Sequence, residues 1–211
     1  MGQQKNPEEI KENYLKAFPE ETGKLAYYLS NQITFLHIKW KEYREIYGSD
    51  PETVEMVNKV APYFFWMYER ILRNDVISTI ARILDPAYSG GNKPNASLDK
   101  LINDLKDHAN NSLIEEWEDD LQMLKKTSKK LRNIRNKRLS HNDFDVHVTH
   151  SPDILAGISR QNIEDVLEGI RSLTNKIQLH FKNSRTMYDY VFSPFEGTKA
   201  LLSFIESNLE K

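Results

Sequence analysis

Residues 117–141 read W-E-D-D-L-Q-M-L-K-K-T-S-K-K-L-R-N-I-R-N-K-R-L-S-H. Within this stretch, four large apolar residues and one small serine recur at alternating steps of four and three residues: Trp117, Leu121, Leu124, Ser128 and Leu131. Residues at this spacing lie on one face of an α-helix. The stretch therefore predicts a long helix, from about 112 to 140, with one face packed in a core.

The same spacing continues past Leu131 onto Arg135 and Arg138, and His141 follows three residues later. Two arginines thus occupy positions where a packed helix usually has apolar side chains. Long basic side chains at such positions either extend along the surface to place their charge in solvent or line a polar cleft. The function of the chain depends on which of these two arrangements applies.

Other segments show the same helical pattern, with start and stop signals between them. Asn6-Pro7 and Asp50-Pro51 each combine a capping residue with a proline suited to the first turn. We expect helices over about 7–18, 20–47, 51–84 with a kink at Pro62, 97–107, 112–140, 160–182 and from about 198 to the C-terminus.

No segment of any length alternates with a period of two, so the predicted fold is all-α, an up-and-down helical bundle. With 211 residues, we expect one domain. Its core would span 49–183, with additional N-terminal helices over 1–48 and a C-terminal extension over 184–211. The expected buried face of the 51–84 helix includes Phe64, Tyr68, Ile71, Ile80 and Ile83.

Composition limits the possible environments and partners. The net charge is −2, so any nucleic-acid surface must be local rather than global. The absence of cysteine removes disulfides and thiolate metal sites and is compatible with a reducing compartment. The first residues lack the apolar segment of a signal peptide, and no uncharged apolar run has membrane-spanning length. We expect a cytoplasmic protein with no membrane partner.

A basic block lies at the end of the central helix. Residues 125–138 contain eight Lys or Arg and no acid, whereas residues 115–120 are rich in acids. Acids early and bases late in a helix complement the helix dipole, which explains the outer lysines. A basic helix end beside a polar cleft also suits a phosphate backbone. The candidate phosphate or RNA contacts are Lys130, Arg132, Lys137 and Arg138.

Arg135 and His141 lie close enough on a helix to act on one phosphate. Six residues separate them by about 9 Å along the axis and about 120° around it. A guanidinium binds two phosphate oxygens, and an imidazole transfers protons near neutral pH. Together they suffice for metal-independent RNA cleavage through attack by the 2′-hydroxyl. The alternative is that both side chains only cap the last carbonyls of the helix.

The string R-N-K-R-L-S-H-N-D, residues 135–143, resembles the signature of HEPN domains: an Arg, a polar residue directly after it, and a His four to six residues beyond the Arg. The signature maps onto Arg135, Asn136 and His141. Together with Ser140 and Asp143, the string is similar to the abortive-infection (AbiU-type) branch. A second stretch, I-S-T-I-A-R-I-L-D-P followed by a loop and S-L-D-K-L-I, resembles that branch too.

This resemblance implies a metal-independent endoribonuclease of a phage-defence or toxin–antitoxin system, needing no cofactor. Arg135 would bind phosphate, Asn136 would orient the site, His141 would act as general acid or base, and Asp143 would support them. The implied partners are RNA, a second copy of the chain in a homodimer, and an antitoxin or nucleotidyltransferase. Some domains of this kind only bind nucleotides or proteins, and that alternative stays open.

Three further features of the sequence have both a structural and a functional interpretation. The His and Asp residues of 141–150 have donor types that suit zinc or manganese, but a solvated loop is the simpler interpretation, so no metal site is predicted. Asp75 falls near the apolar face of its helix, and a buried charge needs a partner, for which Arg138 is a candidate. Structural pairing is the simpler interpretation, and support of the active arginine is the functional alternative. His37 and His180 are interpreted as packing histidines.

Overall fold

The computed structural model describes residues 6–19, 21–136, 158–190 and 197–209. Within these ranges the chain forms nine helices and one short hairpin: α1 Pro7–Ala17, α2 Thr22–Tyr47, α3 Pro51–Val60, α4 Pro62–Ile83, β1 Tyr88–Ser89, β2 Lys93–Pro94, α5 Leu98–Asp104, α6 Asn111–Thr127, α7 Lys129–Ile134, α8 Arg160–Lys182 and α9 Thr198–Leu209. The antiparallel strands have two residues each. The fold is an all-α helical bundle, as the sequence predicts.

Capping side chains start the helices where the sequence places the signals. The Asn6 side chain accepts a hydrogen bond from the backbone N–H of Glu8, and that of Asp50 accepts one from Thr53 at 2.6 Å. Each bond satisfies a donor that has no partner inside the helix. Ser159 begins α8 with a reciprocal pair of such bonds. The predicted helix starts at Asn6-Pro7 and Asp50-Pro51 are therefore confirmed.

The single helix expected over 51–84 is two helices. Ala61 leaves the helical conformation, with φ −153° and ψ 69°, and separates α3 from α4. Proline disfavours a helical conformation in the residue before it, and its ring cannot donate a hydrogen bond to the preceding turn. The predicted kink at Pro62 is thus a complete break.

The break also changes which face of α4 is buried. Phe64 and Ile71, expected in the core, are about half exposed, at 51% and 53%. Phe65, Leu72 and Val76 are buried instead. Ile80 and Ile83 are buried as the sequence predicts, so the expected face is wrong in the first half of α4, next to the break, and correct in its last turn.

The central stretch keeps its predicted buried face but not its continuity. Trp117, Leu121, Leu124, Ser128 and Leu131 are all buried. The helix expected to reach 140 ends at Thr127, and α7 begins after Ser128, whose ψ is 1° rather than the ~−42° of an α-helix. The backbone N–H of Ser128 still bonds the carbonyl of Leu124, so the two helices follow each other closely.

Helix α2 lies at the centre of the bundle and packs against α1, α4, α5 and α8, and α6 packs along α8. The predicted α8 face, Ile163, Val166, Ile170, Leu173 and Ile177, is buried throughout. Gly169 gives α6 and α8 a close approach, because a Cβ there would overlap the side chain of Leu124. The core is therefore built around α2, with α1, α4 and α8 packed against it and α6 packed along α8.

A buried polar network ties the segment after α8 to the bundle. The Tyr14 hydroxyl donates to Ser30 at 2.7 Å, and the hydroxyls of Ser30 and Tyr188 share a bond of 3.0 Å. Gln178 Nε2 donates to the Tyr188 hydroxyl and its Oε1 accepts from Thr186. Burial raises the pKa of Tyr188, so its phenol stays protonated. Helical periodicity alone does not reveal this network.

The two histidines expected to pack do so differently. His37 is buried and its ring stacks on Tyr188, with centroids 6.0 Å apart. His180 is exposed, and its ring meets Trp117 and Phe181 edge-on. Burial, and next the charge of Arg171, lower the pKa of His37 from 6.5 to about 4, against the opposing charges of Asp189 and Glu164.

We expect His37 to make stability pH-dependent. In the unfolded chain the His37 imidazole binds a proton near pH 6.5, whereas in the folded chain it does so only near pH 4. The free energy of unfolding therefore falls as the pH drops through this window. The loss is at most about 3 kcal/mol. Urea unfolding from pH 7.5 to 4 checks it, with His37→Phe as the variant that lacks the titration. Parallel curves for the two proteins would contradict the assignment.

None of the helices in the described ranges is long and apolar enough to cross a membrane.

Candidate phosphate-binding site

Helix α7 fixes the position of Arg135. Leu131 and Ile134 are buried, and α7 packs against α4. Arg135 follows directly, with helical φ and ψ of −55° and −49°, so its backbone is held by the packed turn before it. The arginine of the motif therefore has a defined place in the fold.

The Arg135 guanidinium meets Asp85, the residue two positions beyond the end of α4. Its Nη2 donates to Asp85 Oδ1 in an ion pair, and both side chains are only 21% exposed. The backbone N–H of Asp85 bonds the carbonyl of Arg82, which holds the carboxylate at the end of α4. A charge-assisted bond of this kind restricts the orientation of a guanidinium.

Part of this guanidinium remains unsatisfied. Arg135 Nε and Arg132 Nε are buried and have no hydrogen-bond partner among the described residues. Buried donors are nearly always bonded in folded proteins, and the Nε–H of Arg73 on α4 also has no partner among the described residues. Phosphate oxygens match the guanidinium fork.

The loop that follows Asp85 is held in place from two sides. Asp99, in the first turn of α5, accepts hydrogen bonds from the backbone N–H of Ala87 at 3.2 Å and from Lys125 Nζ at 2.7 Å. Asn95 Nδ2 donates to the carbonyl of Pro86 at 2.7 Å. The start of α5 and the last turn of α6 therefore hold the loop that follows Asp85, next to the Arg135–Asp85 pair.

The other predicted site residues divide into three groups. Asn136 and Lys130 are exposed, and Arg132 is half-buried on the same short segment as Arg135. Asp75 does not lie at this pair: its carboxylate bonds Lys39 Nζ at 2.5 Å, on α2. Four predicted residues lie outside the described residues: Lys137, Arg138, His141 and Asp143.

Asp85 is the residue that sequence reasoning missed. Its position suggests only the end of a helix, although Asp85 is the Asp of the string I-S-T-I-A-R-I-L-D-P that carries part of the family resemblance. Spacing along the chain cannot pair it with Arg135, fifty residues later. The available signal was that both stretches carrying the family resemblance contain one member of this ion pair.

No group of three His, Cys, Asp or Glu side chains within the part of the chain that the structure describes is arranged to hold a metal ion. Residues 141–150, whose His and Asp side chains are possible metal ligands, lie outside the described residues.

Comparison with known families decides the class of protein. Residues 19–198 match the family HEPN_AbiU2, described as AbiU2. The chain belongs to the AbiU2 family of HEPN proteins. Neither the curated proteins nor the solved structures contain a match. The resemblance drawn from the two short stretches is thus confirmed, and the chain is a HEPN-fold protein in the context of abortive infection.

The match extends well beyond the two stretches on which the resemblance rested. It contains α2 to α8, both members of the Arg135–Asp85 pair and the predicted motif residues Asn136 and His141. The N-terminal helix α1 and most of α9 lie outside it. The AbiU2 region is therefore the bundle around α2 together with the α4–α7 junction.

Proposed function

We propose that this AbiU2 protein is a metal-independent endoribonuclease that acts in phage defence or as a toxin in the cytoplasm. The observation that carries the proposal is the state of Arg135. Its guanidinium is oriented by Asp85 at one nitrogen, while its buried Nε–H has no partner among the described residues. Because Asp85 already fixes the orientation of the guanidinium, less reorganisation is needed when a phosphate binds.

The proposed chemistry needs only the side chains of this chain. Arg135 stabilises negative charge on the phosphate, and His141 removes the proton of the attacking 2′-hydroxyl or protonates the leaving 5′-oxygen. The bond from the 2′-oxygen to phosphorus forms as the bond to the 5′-oxygen breaks, which leaves a 2′,3′-cyclic phosphate and a 5′-hydroxyl. Asn136 orients the site, with Asp143 in support.

Neighbouring basic side chains would bind the rest of the RNA backbone. Lys130 is exposed and lies about 1.4 turns before Arg135, and Arg132 is half-buried and lies less than one turn before it. Lys137 and Arg138 follow in the sequence. Such contacts add affinity without reading sequence. We propose that two copies of the chain form a homodimer that brings two motifs to one cleft, and that an antitoxin or nucleotidyltransferase partner controls it.

Asp85 is expected to act as a positioning residue. We expect Asp85→Ala to lower the single-turnover rate of RNA cleavage by about 10- to 100-fold, because a small displacement of a catalytic group is enough for such a loss. The matched control is Asp75→Ala, which removes an interhelical ion pair with Lys39 and should leave the rate unchanged.

Two outcomes separate positioning from a general loss of structure. In an Arg135→Ala background, Asp85→Ala should add little, because the two residues act as one unit. Faster cleavage by Asp85→Ala would contradict the proposed role and would indicate that the ion pair restrains the arginine instead.

A non-catalytic HEPN module that binds a nucleotide or a protein is the second candidate. The same ion pair favours it, because a paired guanidinium also serves as a purely structural link between α4 and α7. Under this alternative, Arg135→Ala would weaken ligand binding or lower the melting temperature, and no variant or wild-type protein would turn over RNA.

A further inference from the structure

A second cleft, separate from Arg135, lies between α2, α8 and the start of α9. Its volume is about 900 Å³, within the range of ligand-binding clefts. Five basic side chains line it, against three acidic ones. The cleft therefore has a local positive charge on a chain whose overall charge is slightly negative.

The three acids of the cleft already have basic partners. The pairs, with their N···O distances, are Arg44–Glu164 at 2.8 Å, Arg171–Asp189 at 3.4 Å and Lys41–Glu45 at 3.9 Å. Glu164 also accepts a hydrogen bond from the Trp40 indole at 2.7 Å. The acids consequently serve to hold the walls of the cleft, and the remaining two bases carry its excess charge.

Those two bases are Arg160 and Lys199. Arg160 Nη1 donates to the carbonyl of Gly48 at 2.9 Å, a neutral group that leaves the guanidinium charge uncompensated. A Cβ at residue 48 would lie 2.8 Å from that nitrogen, so glycine makes room for the arginine. Lys199 has no ion pair among the described residues. Both side chains are exposed and free to bind an anion.

His37 is among the residues that line the same cleft. The residue is 7% exposed, and its Nε2 is buried without a hydrogen-bond partner in the described part of the chain. Unpaired buried nitrogens are uncommon and usually have a functional explanation. A ligand oxygen in the cleft would supply the missing partner.

We propose that this cleft binds a small phosphorylated molecule, with Arg160 and Lys199 on its phosphate and His37 Nε2 on a phosphate or neighbouring hydroxyl oxygen. The charge requires an anion, and the guanidinium fork matches phosphate oxygens. The unpaired imidazole nitrogen adds a specific hydrogen bond that a diffuse basic surface lacks. The inference does not depend on the ribonuclease proposal, since none of these residues belongs to the predicted catalytic motif.

Titration calorimetry of the full chain with inorganic pyrophosphate tests the proposal. We expect saturable binding by the wild type and a Kd at least about tenfold higher for the double variant Arg160→Gln/Lys199→Gln, because two charge-assisted contacts are lost. The matched control is Lys182→Gln/Arg185→Gln, which removes two bases from a different surface cleft beside α1 and should leave Kd unchanged. The ¹⁵N resonance of His37 Nε2 should move on binding in the wild type and this control.

Three results would overturn the inference. The first is no saturable binding of pyrophosphate at millimolar concentration. The second is an equal loss of affinity in both double variants, which would indicate general surface charge. The third is a loss of RNA affinity in the Arg160→Gln/Lys199→Gln variant with no change in its affinity for pyrophosphate, which would make the cleft part of an RNA-binding surface. Each result is independent of whether the chain cleaves RNA.

Discussion

Replacing Arg135 with alanine is expected to lower the rate of RNA cleavage by roughly 10³-fold, in line with the loss of a preorganised donor to a transition-state charge. His141→Ala should lower it by about 10²- to 10⁴-fold, as for other general acids and bases. Both effects follow from the proposal that the two side chains act on one phosphate. Single-turnover cleavage of a labelled RNA measures them.

Arg82→Ala is the matched control for the arginine. Arg82 lies in the last turn of α4, close in sequence to Asp85, but its guanidinium is exposed and bonds Thr79 at 2.9 Å. Its removal should leave the rate within about threefold of wild type, as expected for a surface charge with no catalytic contact. Wild-type cleavage by folded Arg135→Ala protein would disprove the proposed role of that residue.

Trp117→Ala is expected to cause the largest loss of stability, about 3–5 kcal/mol. Trp117 is 1% exposed and begins the buried face of α6, where its ring meets those of His180 and Phe181 on α8. Its removal leaves a cavity where α6 and α8 pack. The midpoint of equilibrium unfolding in urea, with an unchanged slope, measures the effect.

Trp66→Ala provides the comparison. Trp66 is 50% exposed on α4 and contacts mainly Tyr63 and Arg70. We expect it to cost less than about 1 kcal/mol, because little apolar surface is re-exposed. Equal losses for the two tryptophans would contradict the packing described for α6 and α8.

The spacing of apolar residues correctly predicted which face of a helix is buried where no proline interrupts the helical stretch. The buried faces of α8 and of the Trp117–Leu131 stretch follow from the sequence because each side chain packs against the same neighbouring surface. The break at Ala61 and the exposure of Phe64 do not, since they depend on where a helix restarts after proline. The ψ of Ser128 likewise reflects how α7 packs on α4, which no local pattern contains.

The candidate site was predicted only in part for a related reason. The motif identifies Arg135 by its spacing, whereas Asp85 and Asp99 reach the same junction through the packing of α4, α5 and α6. Asp75 is expected to need a partner because it lies beside an apolar face. Among the described residues that partner is Lys39 on α2, whereas the candidate Arg138 lies outside them. A one-dimensional pattern does not show which helix will lie opposite.

We propose that this AbiU2 protein cleaves RNA with its own side chains and the RNA 2′-hydroxyl. The decisive experiment is end-group analysis of RNA incubated in excess EDTA with the purified protein or with its His141→Ala variant. We expect 2′,3′-cyclic phosphate and 5′-hydroxyl ends from the wild type and no products from the variant. Products with 3′-hydroxyl ends, or cleavage that EDTA abolishes and a divalent cation restores, would contradict it.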